Sequence, residues 1–327
     1  MVEIQSVWNW TIAVYLFLGG LSAGVFCTTA ILRLFGKGGY KSTLTYGSWF
    51  ATIALGLGLV FLLIDVGMPF RALLLWQSFS NFSSWMAIGA WLLFIGFIIF
   101  LIVALLSTGK IGKASEGSSS SARGTIAKVL SVIGIFVALG IAIYTGILLR
   151  AAQHIPVWDT WLLPALFTVS ALDTGVAAVA IFLCWHEKDP KAHRMHVVLE
   201  RIIIVLVVVE VAVIAYYFST VYGGGGVGAQ TSIAMITAGQ LSTAFWVLVV
   251  AVGLTIPFLV AVVQQFSARK KNAEVPKLFK VLPSIGVICA LVGGFTLRYV
   301  ILASGIHEAF VSPATDQAIQ GILFFFN

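Results

Sequence analysis

The sequence predicts an all-α integral membrane protein with eight transmembrane helices and both termini outside. Of the 327 residues, 60% are apolar and only 9% are charged, and the mean hydropathy is +1.05. A soluble domain carries roughly a quarter charged residues. Eight stretches are long and apolar enough to cross about 30 Å of hydrocarbon, which takes ~20 helical residues each.

The eight spans form one polytopic domain, residues 1–327. We place them near 11–35, 45–67, 84–107, 127–150, 161–185, 197–220, 240–266 and 281–304. The Ser-rich segment between the third and fourth spans and the four glycines at 223–226 predict irregular connections. No Lys or Arg precedes Arg33, so we expect the first span to be retained rather than cleaved as a signal peptide.

The charges of the connections are one-sided. Connections 1–2, 3–4, 5–6 and 7–8 carry net charges of +3, +3, +1 and +4, whereas the termini and the other connections are neutral or negative. The positive-inside rule makes the first set cytoplasmic, and we name that side the basic face. Both termini then lie on the opposite, outer face of the cell's inner (cytoplasmic) membrane.

Several classes of membrane protein do not fit the sequence. The five histidines lie in connections or at span ends, which argues against the axial ligands of a membrane haem. No lysine lies in the interior of a span, as a retinal Schiff base would require. The three cysteines are scattered and form no metal spacing. We therefore predict neither haem nor metal in this protein.

Polar groups gather near the outer ends of several spans. Asp65 ends an apolar helix just before Gly67 and Pro69, where the helix dipole disfavours a carboxylate. Tyr15 lies about one turn inside span one, and Tyr144 lies about two turns from the outer end of span four. Because these two helices run in opposite directions, we expect both hydroxyls in the outer third of the bilayer.

Such a group of donors and acceptors among aromatic side chains suits a quinone. The quinone head needs a hydrogen bond to each carbonyl, a proton acceptor and an apolar slot for its tail. Asn9 and Arg71 lie just above the tyrosines and are further candidates. Structural alternatives are an aromatic belt for the tyrosines and a salt bridge between Asp65 and Arg71. Trp8 and Trp10 are expected to be interface anchors.

Three charged residues lie within other spans. Asp173 is in span five, Glu210 is near the middle of span six, and Arg298 is within two turns of the outer end of span eight. A carboxylate at such a depth is protonated or paired, so these residues are candidates for a proton route. The alternatives are a neutral acid that packs against a neighbouring helix and an arginine that extends to the interface.

Five motifs in order along the sequence resemble the polysulfide reductase membrane-subunit family (NrfD/PsrC-like). They are Trp8-x-Trp10 through Tyr15 to Gly24; Asp65-x-Gly67-x-Pro69-x-Arg71; Ser84-Trp85-Met86 with Gly89-Ala90-Trp91; Tyr144-Thr145-Gly146-x-Leu148-Leu149 followed by Pro156-x-Trp158; and Gly293-Gly294-Phe295-x-Leu297-Arg298-Tyr299.

The resemblance implies two four-helix bundles that bind a quinone, menaquinone or ubiquinone, near the outer face. It also implies an iron–sulfur subunit docked on that face and a molybdopterin catalytic subunit. By position, Tyr144 matches the quinone-contacting tyrosine of span four, and Tyr15 matches a polar contact that is sometimes His. Asp65 matches the acid that ends span two, whereas Ile12 stands where such relatives can have Asn.

The sequence leaves three functions open. The first is the quinone-reactive subunit of an oxidoreductase of anaerobic respiration, active only in its complex, with proton transfer across the membrane. The second is a proton-coupled secondary transporter in which Asp173 and Glu210 couple protons to a solute. The third is a purely structural anchor for an exported complex.

Overall fold

The computed structural model describes residues 3–4, 8–36, 40–65, 84–108, 119–152, 154–187, 190–224, 226–269 and 278–307. These residues are almost entirely helical. The helices are α1 (Trp10–Phe35), α2 (Lys41–Asp65), α3 (Trp85–Ser107), α4 (Ser119–Arg150), α5 (Leu162–His186), α6 (Pro190–Gly224), α7 (Gly226–Thr237), α8 (Ile256–Arg269) and α9 (Leu278–Ala303). A π-helical segment, Ala244–Thr255, leads directly into α8.

Within these ranges, seven helical stretches are long and apolar enough to cross a membrane. They are Trp10–Phe35, Lys41–Asp65, Trp85–Ser107, Arg123–Arg150, Leu162–His186, Ala244–Phe266 and Val281–Ala303. The multi-pass membrane protein that the composition predicts is thereby confirmed. The remaining predicted span, 197–220, lies within α6.

The predicted and observed elements differ mainly in the connections. α4 begins at Ser119, inside the segment predicted to be a linker, and residues 109–118 lie outside the described residues. The sequence predicts an irregular run at the four glycines, but α6 continues through Gly224 and α7 begins at Gly226. Gly226 has a φ of 39°, a left-handed conformation that glycine adopts without steric cost.

The helix contacts divide the described part of the protein into two groups of four. In the first group α1 packs on α2 and α4, and α3 contacts both α2 and α4. In the second group α5 packs on α6 and α9, and α8 contacts both α6 and α9. The groups meet chiefly where α1 crosses α5, and a side chain at Gly24 would overlap the backbone of Ala171 and Gly175. Small residues therefore let these two backbones approach closely.

The segments just before α1 and just after α9 meet at one end of the helices. Glu3–Ile4 (β1) pairs antiparallel with Ile306–His307 (β2). Beside this pair, Trp8 stacks on Trp158 with ring centroids 5.2 Å apart, and the Trp158 indole N–H donates to the backbone of α9. The interface anchor predicted at Trp8 thus packs within the protein, because the α4–α5 connection supplies an aromatic partner.

The opposite end of the helices, which carries the basic connections, is fixed by polar contacts between neighbours. Glu187, just beyond α5, accepts hydrogen bonds from the backbone N–H and the hydroxyl of Thr43 in the first turn of α2. Arg33 of α1 donates to the hydroxyls of Ser48 and Ser107, which belong to α2 and α3. These contacts satisfy polar groups at helix ends and set the relative height of the helices.

Candidate functional site

Three predicted site residues lie on different helices at the end where β1 pairs with β2. Tyr15 lies in the second turn of α1, Asp65 is the last residue of α2, and Tyr144 lies about two turns before the end of α4. Because α1 runs away from this end while α2 and α4 run towards it, the three side chains reach a similar level. We name them the outer-end cluster.

Asp65 is held by a hydrogen bond from α1. The Thr11 hydroxyl donates to Asp65 Oδ1 over 2.6 Å. Thr11 precedes Tyr15 by four residues, so the two side chains share one face of α1. Thr11 is not among the residues predicted from the sequence, because one hydroxyl in the first turn of an apolar helix carries no signal by itself. Arg71, the partner that we considered for Asp65, lies outside the described residues.

Both tyrosines of the outer-end cluster are buried. Tyr15 is 1% exposed and Tyr144 is 4% exposed, unlike the side chains of an aromatic belt. The two phenols face each other, but the Tyr15 hydroxyl has no hydrogen-bond partner of acceptable geometry within the described residues. The Tyr15 hydroxyl therefore lies against the Tyr144 phenol without a closed hydrogen bond.

A glycine of α3 determines where the Tyr144 ring lies. A Cβ atom at Gly89 would overlap the phenol end of Tyr144, including its hydroxyl oxygen. The ring thus occupies space that only glycine leaves free. Gly89 belongs to the third of the five motifs, but its contact with Tyr144 became visible only in the structure.

Asn9 does not join the buried cluster. It is the N-cap residue of α1, its side chain makes no capping hydrogen bond, and it is exposed. An amide in this position can reach a ligand only at the rim of a site.

A second cluster surrounds Arg298 of α9. The residue is 0% exposed, so its side chain does not extend to the membrane interface. Nη1 donates to Ser170 Oγ over 3.3 Å and to the Gly294 carbonyl over 2.8 Å, and Nη2 donates to the Phe167 carbonyl over 3.2 Å. Within the described residues Nε has no partner. The guanidinium is therefore fixed between α5 and α9.

Asp173 and Glu210 lie next to each other, and Glu210 adjoins this arginine. They are 2% and 3% exposed, and both line a cavity with room for about one water molecule. Glu210 interacts electrostatically with Asp173 and with Arg298, and Ser170 hydrogen-bonds to Glu210 as well as accepting from Arg298. The net charge of two carboxyl groups and one guanidinium is zero when one carboxyl group is protonated and the other is ionised. We name Asp173, Glu210 and Arg298 the charged triad.

The two clusters adjoin across α1. A Cβ atom at Gly20 would lie 2.8 Å from Arg298 Nη2, so the guanidinium touches α1 at this glycine. Gly20 follows Tyr15 by five residues, about 7.5 Å along the helix axis. Arg298 is therefore within two helical turns of the outer-end cluster. Ser170 is the position in this region whose role sequence reasoning missed.

The π-helical segment borders the charged triad. Gly253 of this segment and Gly293 of α9 lie in backbone contact, and both line the cavity. π-helical turns are uncommon and often occur at functional sites. Because both contacting residues are glycines, backbone meets backbone here, beside the cavity that Asp173 and Glu210 line.

These features define a class of protein: a multi-pass helical membrane protein with buried clusters of polar and ionisable side chains between its helices. The family model described as "Polysulphide reductase, NrfD" matches residues 3–309, and the protein belongs to that family. The C subunit of polysulfide reductase from Wolinella succinogenes is 30% identical over 311 residues, which cover 91% of this sequence and 94% of the relative. Protein NrfD of Escherichia coli is 28% identical over 317 residues, which cover 91% and 95%.

Proposed function

We propose that this protein is the quinone-binding membrane subunit of a respiratory oxidoreductase complex. It exchanges electrons between the quinone pool and an iron–sulfur partner subunit and is active only within the assembled complex. The observation that carries the proposal is the buried contact between the Tyr15 and Tyr144 phenols, with Asp65 bound to Thr11 at the same end of α1. Family membership and the name of the Wolinella relative, a subunit of a reductase, support a redox role.

The residues of the outer-end cluster fit a quinone head group chemically. The Tyr15 hydroxyl lies against the Tyr144 phenol without a closed hydrogen bond, and a quinone carbonyl is an acceptor to which it can donate. Tyr144 supplies a second phenol beside it, and its ring fills the space that Gly89 leaves. Asp65 supplies a carboxyl group, which the Thr11 hydroxyl holds against α1. Apolar side chains of α1, α2 and α4 surround these groups, as a prenyl tail requires.

Each residue then has one role. The quinone, when bound, carries two electrons and two protons between the membrane pool and the complex. Tyr15 and Tyr144 donate hydrogen bonds that orient the head group, and Asp65 accepts or returns a proton at its carboxylate. Thr11 keeps Asp65 Oδ1 aligned through the 2.6 Å hydrogen bond. Arg71 and Asn9 are proposed as rim contacts.

The proposed topology has eight crossings. α6 is long enough to cross the membrane, because its 35 residues extend about 52 Å. Pairing of β1 with β2 supports a common side for the segments before α1 and after α9, and the charges of the connections support an outer location for this side. The outer-end cluster then faces the outside of the inner membrane. The iron–sulfur subunit would dock there and pass electrons to or from a molybdopterin catalytic subunit.

Asp173, Glu210 and Arg298 are proposed as a proton route towards the basic face. Their cavity holds about one water molecule, a size that suits proton transfer better than passage of a solute. The small size of the cavity therefore favours a function as a quinone-binding subunit over a function as a proton-coupled secondary transporter.

The proposal is tested with two tyrosine variants of the purified complex. Tyr15→Phe and Tyr144→Phe each remove one donor, and we expect the KM for a quinol analogue to rise about tenfold for each. Steady-state kinetics with increasing quinol measure this. Tyr40→Phe is the matched control, since Tyr40 is also buried but lies at the basic face. Wild-type KM values for both test variants would exclude the outer-end cluster as the quinone site.

A further inference from the structure

A second cavity lies in the second helix group, closer to the basic face. Its lining includes Ala177 and Ala180 of α5, Glu200 and Ile203 of α6, and Pro257 of α8. Like the cavity at the charged triad, it has room for about one water molecule. We name it the lower cavity and the one at the charged triad the upper cavity.

The two cavities follow one another along the same four helical elements. On α5, Thr174 lines the upper cavity and Ala177 lines the lower one. Leu254 likewise lines the upper cavity, and Pro257 lines the lower one. Ala290 and Val287 repeat the pattern on α9. In each pair the residues are three positions apart, which is about 4.5 Å of helix. Roughly one helical turn of side chains thus separates the cavities.

Glu200 is the ionisable residue of the lower cavity. It is 4% exposed, and the other residues that line this cavity are apolar or glycine. Its carboxylate lies 3.5 Å from Nε2 of His196, which is 7% exposed. That nitrogen has no hydrogen-bond partner within the described residues. A buried carboxyl and a buried imidazole thus face each other without a closed hydrogen bond.

The pair has a path to solvent on α6. His193 precedes His196 by three residues, lies close enough to affect it electrostatically, and is exposed. Arg201 is the neighbouring cation, but it is exposed and donates to Gln265 of α8. Glu200 and Glu210 are ten residues apart on α6, so about 15 Å separates the basic-face carboxyl from the charged triad.

We propose that Glu200, together with His196, is the proton-exchange group that connects the basic face to Asp173 and Glu210 through the two stacked cavities. The inference rests on the proposed function, because it extends the proton route assigned there. A proton passes from solvent by way of His193 and His196 to the Glu200 carboxylate. Water in the two cavities then carries it to whichever carboxyl of the charged triad is ionised, or in reverse.

The test uses the assembled complex in sealed proteoliposomes, with quinone turnover and proton uptake from the basic side measured together. Glu200→Gln is expected to lower proton uptake at least about tenfold, while Glu200→Asp keeps most of it. Ala177→Leu fills the lower cavity and leaves the carboxylate in place, so it is expected to reproduce the loss. Yield and thermal midpoint of each complex separate a transfer defect from a folding defect.

The outcomes distinguish this inference from the function on which it rests. Asp173→Asn is the reference, since it interrupts the route at the charged triad. If Asp173→Asn lost proton uptake but Glu200→Gln and Ala177→Leu kept it, the role of Glu200 would be overturned and the rest of the proton route would stand. Uptake unchanged in all three variants would overturn the proton route as a whole. Failure of the proposed quinone site would show separately, in unchanged KM values of the tyrosine variants.

Discussion

Asp65→Asn in the assembled complex is expected to reduce the kcat of quinol oxidation at least about 100-fold. A positioned general acid or base contributes roughly 10²–10⁴ to a rate, and asparagine keeps the size and the hydrogen bond from Thr11 but cannot take up a proton. Because the tyrosines remain, the KM should change less than kcat. The measurement is steady-state turnover with a soluble quinol analogue and the partner subunits present.

Thr11→Val is the informative companion to this variant. It leaves the Asp65 carboxylate intact and removes only the 2.6 Å hydrogen bond that orients it. We expect a smaller loss of kcat, about tenfold. If Asp65→Asn turned over within about threefold of the wild type, Asp65 would be a structural residue at the end of α2 rather than a proton acceptor.

Arg298→Gln is expected to destabilise the protein by about 3–5 kcal/mol. The substitution removes a buried cation that attracts the Glu210 carboxyl, and removing one of two interacting buried charges leaves the other uncompensated. It also breaks the hydrogen bonds that join α9 to α5. The thermal midpoint of the detergent-purified complex measures the effect.

Two further variants test why Arg298→Gln loses stability. Arg298→Gln combined with Glu210→Gln removes the uncompensated carboxylate and should recover part of the lost stability. Arg194→Gln on the exposed face of α6 removes a cation of the basic face and should shift the midpoint little. A midpoint for Arg298→Gln equal to that of the wild type would contradict the charged triad.

Hydropathy and helix direction were enough to predict most of the architecture and part of the site. Long apolar runs identify spans because the bilayer demands them, whatever the rest of the sequence does. The depth of Tyr15 and Tyr144 followed from their distances to the ends of antiparallel helices. The structure places both tyrosines near the same end of their helices and buries both.

The contacts that complete each cluster could not be predicted, because they join residues far apart in the sequence. The Thr11–Asp65 hydrogen bond spans 54 positions, and the bond from Arg298 to Ser170 spans 128. Trp8 looked like an interface anchor because its stacking partner, Trp158, lies in a distant connection. Local periodicity carries no information about such pairs.

Glu200 was overlooked for a different reason. Its neighbours in the sequence include Lys191, Arg194 and Arg201, so it was counted among the charges of a solvent-exposed connection. Glu200 nevertheless lies inside the span predicted at 197–220, and in the structure α6 buries it. Its basic neighbours in the sequence obscured its position on the buried face of the helix.

Photolabelling with an azido-quinone tests the central claim most directly. The assembled complex would be labelled in its native membrane, digested and mapped by mass spectrometry. We predict label on the α1 and α4 peptides that contain Tyr15 and Tyr144, suppressed by excess quinone and reduced in Gly89→Val, whose side chain displaces the Tyr144 ring. Quinone-suppressible label confined to other helices, with none on these two peptides, would contradict the account.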